Sequence, residues 1–359
     1  MGPVKRHNIM KVAYCAPQAF HFVRKDVEGL RTRCTVLLHL FEHGAKWMLP
    51  INLAAQLLFL LKARMAGVRH VFIHFGGYHA LLPILLGFRT HVIIAGSDAC
   101  SFPGINYGGF RKQPLASVLR FVYRQAATLL PVHACLEHFT NAYSDHGPTA
   151  QGYGTLTGAA TALSVAIPYG FDAMRWPLPE ASVTRQGAVC VAYGARWNDA
   201  VHYRKGLDKI IACAALMPDL QFTIVGVADI SGYGGVPKNV TVMGRVSPER
   251  LHDLLTQHSL YLQPSVMEGL PNAVCEAMLS GCVPVVSNIT SMPSIVHGLG
   301  EVMQHHEADD LKAAIERILG DPERTSSSTR SKIRDRIAPL TIEERITALL
   351  SVMEQHGPE

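Results

Sequence analysis

Short apolar runs alternate with amphipathic stretches along the chain, most cleanly in its second half. Residues 187–195 (GAVCVAYGA), 220–227 (LQFTIVGV), 239–246 (NVTVMGRV), 260–264 (LYLQP) and Val283–Ser287 (VPVVS) are near-continuous β-rich runs, as expected of strands buried on both faces. Between them lie helical patterns at 206–217, from Ser247 to about His258, and from about Pro271 to Gly281. Ser247-Pro248-Glu249 combines an N-cap, a proline at the first helical position and an acidic first turn. Strands alternating with helices predict an α/β fold with parallel, doubly wound sheets.

The first half has the same rhythm with less distinct boundaries. Lys11–Ala16, His70–His74 and residues 91–95, 127–132 and 162–167 are its strand candidates. Residues 177–186 (PLPEASVTRQ) are polar, proline-broken and aperiodic, which marks a linker. The division expected is an acceptor-side Rossmann-like domain over 1–176, the linker, a second Rossmann-like domain over 187–340, and a C-terminal helix in 341–359 packing back on the first domain. Two such domains enclose a cleft at the carboxyl ends of their strands.

A chain of 359 residues with 48% hydrophobic and 17% charged residues supports two packed cores and excludes disorder. The eight cysteines never form C-x-x-C, which points to a reduced protein rather than a disulfide scaffold or zinc module. Residues 1–8 are polar and basic, unlike a secretory leader, so a cytoplasmic location is expected. The apolar stretch 48–61, interrupted by Pro50, Asn52 and Gln56, falls short of the ~20 residues a spanning helix needs and reads as a buried core helix. Charge is uneven. Residues 1–176 hold 17 Lys or Arg against 7 Asp or Glu, a balance of +10, and the remainder is −5. The basic half suits an anionic membrane surface or an anionic substrate; lacking a compact Arg-rich run with interleaved aromatics, it does not suit nucleic acid.

The chemistry concentrates in residues 264–286, PSVMEGLPNAVCEAMLSGCVPVV. Glu268 follows a strand, and Glu276 shares a helical face with Asn272. Between the acids, Gly269-Leu270-Pro271 leads into a helix N-terminus whose free N–H groups suit a phosphate. The segment offers a diphosphate cradle flanked by two carboxylates that can accept hydroxyls. There is no D-x-D motif, and Asp309-Asp310 after His305-His306-Glu307 reads as helix capping on a solvated surface, so no metal site is expected.

These residues resemble the retaining nucleotide-sugar glycosyltransferases of family 4, which have the GT-B architecture of two Rossmann-like domains and carry an E-x7-E motif. Arg196 and Lys205 in GARWNDAVHYRKGLD match that family's basic pair, residues 167–172 (IPYGFD) look like its segment before the linker, and Gly226, Gly244 and Arg245 fall near its nucleotide base. The resemblance implies a hexosyl transfer from a nucleotide diphosphate-sugar, without cofactor or metal. Glu268, Arg196 and Lys205 would be catalytic. Glu276 would hold the ribose, with Gly269, Leu270, Pro271, Asn272, Gly244 and Arg245 completing the donor site. Ala95 stands where the family often has a histidine, in I-A-G-S-D; Asp98 keeps the match, and His74 and His79 are the candidates to replace that histidine at the sugar or acceptor. The expected acceptor is a glycan or lipid-linked precursor in polysaccharide biosynthesis, reached by peripheral docking on the inner face of the cytoplasmic membrane. The alternative is a non-catalytic GT-B subunit that binds nucleotide-sugar and supports a partner enzyme.

Overall fold

The computed structural model describes residues 10–41, 46–158, 161–180 and 183–355. Lys5 and Arg6, part of the basic charge counted above, lie outside them. The first domain is built on five parallel strands, β1 (Lys11–Ala16), β2 (Thr35–Leu40), β3 (His70–His74), β4 (Arg89–Ile94) and β5 (Thr128–Pro131), in the order β2-β1-β3-β4-β5. Five helices connect or flank them: α1 (His21–Arg31), α2 (Leu49–Met65), α3 (Leu81–Leu85), α4 (Leu115–Gln125) and α5 (Tyr153–Thr157). A two-stranded antiparallel hairpin, β6 (Phe139–Thr140) and β7 (Ala150–Gln151), extends from the domain. Beyond Lys11 and Arg89 at their starts, the central strands are buried because both faces carry helices.

Two expectations differ here. Residues 162–167 form no strand; they run extended beside β5 with a single bridge, Leu129 to Ser164. The stretch 48–61 is not a core helix. In α2 only Gln56, Leu60 and Ala63 are buried, while Ile51, Leu58, Leu61 and Met65 are exposed. Being apolar all round, the sequence of α2 carries no amphipathic signal to say which side is covered.

The second domain holds six parallel strands in the order β10-β9-β8-β11-β12-β13, the doubly wound arrangement whose reversal point lies between β8 and β11. They are β8 (Ala188–Val191), β9 (Phe222–Val225), β10 (Val240–Met243), β11 (Leu260–Gln263), β12 (Val283–Ser287) and β13 (Glu301–Met303). The helices are α6 (Ala200–Arg204), α7 (Leu207–Leu216), α8 (Pro248–Gln257), α9 (Asn272–Leu279), α10 (Met292–Val296), α11 (Ala308–Leu319), α12 (Ser327–Ile337) and α13 (Ile342–Gln355). Ser247 caps α8 by accepting from the Arg250 N–H. Asp310, in the first turn of α11, accepts the N–H groups of Gln304 and His305 in the loop before the helix rather than capping it, and no side chain caps α11. All eight cysteines are free.

Helix α13 crosses back to the first domain. Its Arg345 forms a buried fork with Asp26 of α1, 2.6 and 2.7 Å to the two oxygens, and Ile346 packs where Gly29 leaves no side chain. The domains meet along the strand ends: Ala95 and Gly96 after β4 touch Gly269, Tyr107 covers Arg204, His133 bonds Ser294 at 3.0 Å, and Tyr143 packs on His306. A methyl group at Gly269 would overlap the Ala95 carbonyl, so this approach requires glycine.

Candidate active site

The reversal point between β8 and β11 gathers the site. Glu268 lies in the loop after β11, and Lys205 ends α6. Gly206, at φ +67, starts α7 pressed against Pro264 so closely that only glycine fits. The Val266 N–H donates to the Arg204 carbonyl at 2.8 Å, locking the two loops in register. R-K-G and P-S-V-M-E-G are therefore two halves of one structure.

Within it, Lys205 Nζ donates to Glu268 Oε1 at 2.7 Å and Arg204 Nη1 to the same oxygen at 2.9 Å. Gln263 and Ser265 add donors at 3.2 Å. Burial pushes the Glu268 carboxyl up, but Lys205 and Arg204 outweigh it and hold the group below the usual carboxylate range. Glu268 is thus an anion between two fixed cations, the arrangement a bound diphosphate would exploit.

Of the basic residues singled out from the sequence, Lys205 reaches Glu268 and Arg196 does not; the loop after β8 carries Arg196 to the surface. Arg204 takes the second place at Glu268, with its guanidinium 5.1 Å over the Tyr107 ring. The direct sequence signal for Arg204 was its position before Lys205-Gly206. The α9 N-terminus has no side-chain cap, and Leu270 and Pro271 are buried just before it. One turn in, Glu276 is buried, and burial pushes its carboxyl up to about 7 against the pull of Lys25. Asn272 stands at the first turn of the same helix. Tyr193, a residue not singled out by motif, leaves β8 and packs its ring on Gly226, and the charges of Glu276 and Arg245 act on its hydroxyl; Gly244 is partly exposed.

In the first domain, Asp98 is a buried brace. It accepts N–H groups from Gly76 (2.7 Å), Ala95 (3.1 Å) and Gly96 (3.1 Å) and the Tyr123 hydroxyl, tying the loops after β3 and β4 together. His74 sits between the Tyr14 and Tyr169 hydroxyls at 2.8 and 2.9 Å, and burial pushes it down to about 3, so it is neutral. His79 bonds the His74 carbonyl and lines a cavity of about 780 Å³ in the first domain. Pro17, Phe20, Phe41, Leu49, Phe75 and Tyr78 make that cavity mainly apolar and aromatic, and Lys112 gives it a cation. Phe75 holds φ +63 at its wall, a left-handed conformation costly for a bulky residue. Among the described residues, no cluster of three or more His, Cys, Asp or Glu could hold a metal ion.

Two facing parallel-sheet domains with their cleft at the strand ends define the GT-B architecture. Residues 199–336 match the family described as glycosyl transferases group 1, which takes in Lys205, Glu268 and Glu276. The chain is 28% identical over 163 residues to the amylovoran biosynthesis glycosyltransferase AmsK of Erwinia amylovora, covering 37% of this chain and 38% of that one. It is 31% identical over 130 residues to an alpha-galactosylglucosyldiacylglycerol synthase of Streptococcus pneumoniae, covering 31% and 34%. The matched stretches thus span little more than a third of these relatives. The solved structure of Anabaena HepE with UDP and glucose superposes with a TM-score of 0.69 at 16% identity, covering 95% of this chain and 99% of that one.

Proposed function

We propose that the protein is a retaining, metal-independent glycosyltransferase that moves a hexosyl unit from a nucleotide diphosphate-sugar to a lipid-linked or surface-glycan acceptor. The observation that carries this reading is the convergence of Lys205 and Arg204 on Glu268 beside the α9 N-terminus. When the glycosyl–phosphate bond breaks, its electron pair stays on the leaving diphosphate. Fixed cations stabilise that charge most in the transition state. Glu268 is bonded by four donors and its basicity is reduced, which disfavours attack on the sugar as a nucleophile. A same-face reaction fits better: the acceptor hydroxyl attacks the anomeric carbon as the diphosphate departs, and its proton passes to the leaving phosphate oxygen. Glu268 then orients hydroxyls of the transferred sugar, Glu276 accepts those of the ribose, and Tyr193 supplies an aromatic face near the base.

The acceptor assignment rests on the aromatic cavity of the first domain and on α2, whose Leu49 and Asn52 line it. Along its length α2 exposes Ile51, Leu58, Leu61 and Met65, flanked by exposed Trp47 and Leu85 and by the basic Lys62 and Arg64. Among the described residues, no helix is long and apolar enough to cross a membrane. Such a face lies on a bilayer rather than in it, each nearby cation contributing about 1 kcal/mol toward anionic lipid. Liposome cosedimentation tests this part: binding should require anionic lipid, weaken with salt and fall in Leu58→Asp/Leu61→Asp. Equal recovery of the variant, or no binding at low salt, would favour a soluble acceptor.

A further inference from the structure

The donor residues named so far all come from the second domain, and a side chain of the first lies beside one of them, Asn272. Lys25, in the second turn of α1, is only partly exposed and holds its Nζ 5.4 Å over the Phe171 ring. With Asn272 of α9 it lines a small cavity between the domains, closed by Phe22, Tyr169 and Arg345. The other carboxylates near Lys25 are already engaged: Asp26 by Arg345, and Asp172 by the Met174 N–H and, at 3.5 Å, by Arg175. Glu276, one turn along α9 from Asn272, is the carboxylate whose charge acts most strongly on Lys25, and Lys25 in turn draws on Glu276.

We propose that Lys25 is a donor-binding residue supplied by the acceptor-side domain: its ammonium completes the ribose pocket around Glu276 when the domains close, and so couples nucleotide affinity to closure. The proposal rests on the nucleotide-sugar reading above. A cation there keeps Glu276 available as an acceptor for ribose hydroxyls and itself donates to a ribose oxygen or the adjacent phosphate. Because Lys25 and Glu276 belong to different domains, only the closed form assembles the full pocket. A donor bound to it would hold the cleft shut over the acceptor cavity.

Calorimetric titration with UDP, ADP and GDP tests this on four proteins: wild type, Lys25→Met, Lys25→Arg and Glu276→Gln, with the Lys25→Met/Glu276→Gln double variant closing a cycle. Lys25→Met keeps the apolar stem over Phe171 and should weaken the nucleoside diphosphate that binds wild type by about tenfold, while Lys25→Arg should stay within about threefold. In the Glu276→Gln background, Lys25→Met should cost less than threefold. X-ray scattering should show wild type compacting on nucleotide and Lys25→Met compacting less. Unchanged affinity in Lys25→Met, or fully additive losses in the cycle, overturns the proposal and leaves Lys25 a structural contact. If Lys25→Met does not fold, a loss in Lys25→Arg as large as that of Glu276→Gln overturns it equally. If wild type binds none of the three nucleotides, the donor reading falls as well, a result distinct from the others.

Discussion

Replacing Glu268 by Gln keeps the shape of the side chain and removes the anion between Lys205 and Arg204. The two contacts, 2.7 and 2.9 Å, join side chains that are only 12–15% exposed. Removing one partner of a buried ion pair costs about 3–5 kcal/mol, because the remaining charge is left uncompensated. The residual exposure places the cost at the lower end, about 3 kcal/mol. For a domain of this size each kcal/mol shifts the melting temperature by about 2–4 °C, so Glu268→Gln should melt about 6–12 °C below wild type. A nucleoside diphosphate should reverse the deficit. In wild type its phosphates share the two cations with Glu268; in the variant they meet both cations unpaired. At 100 times its dissociation constant a ligand adds about 2.7 kcal/mol, so the thermal shift with UDP, ADP or GDP should be at least as large in the variant, while turnover with the full donor collapses. A Glu268→Gln protein that melts with wild type, or one that nucleotide protects less than wild type, would refute the reasoning.

Three further outcomes follow from particular contacts. With Glu276 at about 7 in the free protein, the folded state holds a proton that the unfolded chain releases near 4.5, so Glu276 makes stability fall as pH rises between those values and contributes no further slope above them. Ribose hydroxyls bind the ionised form, so nucleotide affinity should rise from pH 6 to pH 8 with proton release; Glu276→Gln should flatten that dependence, and an unchanged slope would contradict the assignment. Gly269→Ala should place its methyl against the Ala95 carbonyl and prevent closure, lowering turnover about 100-fold and, by keeping Lys25 from the donor site, nucleotide affinity about tenfold; wild-type kinetics would show the approach is dispensable. Arg345→Met should lower stability by about 3–5 kcal/mol by stranding the Asp26 carboxylate, and Asp26→Asn/Arg345→Met should recover part of it in denaturant melts; a double variant no better than the single would place the loss elsewhere.

The second domain was legible because its strands are buried on both faces and read as unbroken apolar runs. Val283–Ser287 coincides with β12, and the expected helices appear as α7, α8 and α9. The first domain was less so. Thr35–Leu40 is an edge strand with most side chains only partly covered; in the second domain the exception is β13, three residues long and too short for a pattern. Residues 162–167 have strand-like composition, but residue 129 of β5 makes their one bridge. The site divides in the same way. Glu268, Lys205 and Glu276 sit on short loops and helix turns whose geometry follows from local sequence. The approach of Arg204 to Glu268 depends on how Gly206 docks on Pro264, and Lys25 depends on how two domains meet; both are contacts over long sequence separation.

The most direct test of the account follows the anomeric configuration of product formed by protein freed of metal with EDTA. Proton NMR should show an α-linked product from an α-linked nucleotide-sugar, at an undiminished rate, with Lys205→Ala slower by about 100-fold or more. Inversion at the anomeric carbon, or activity lost to EDTA and restored by magnesium or manganese, would contradict it.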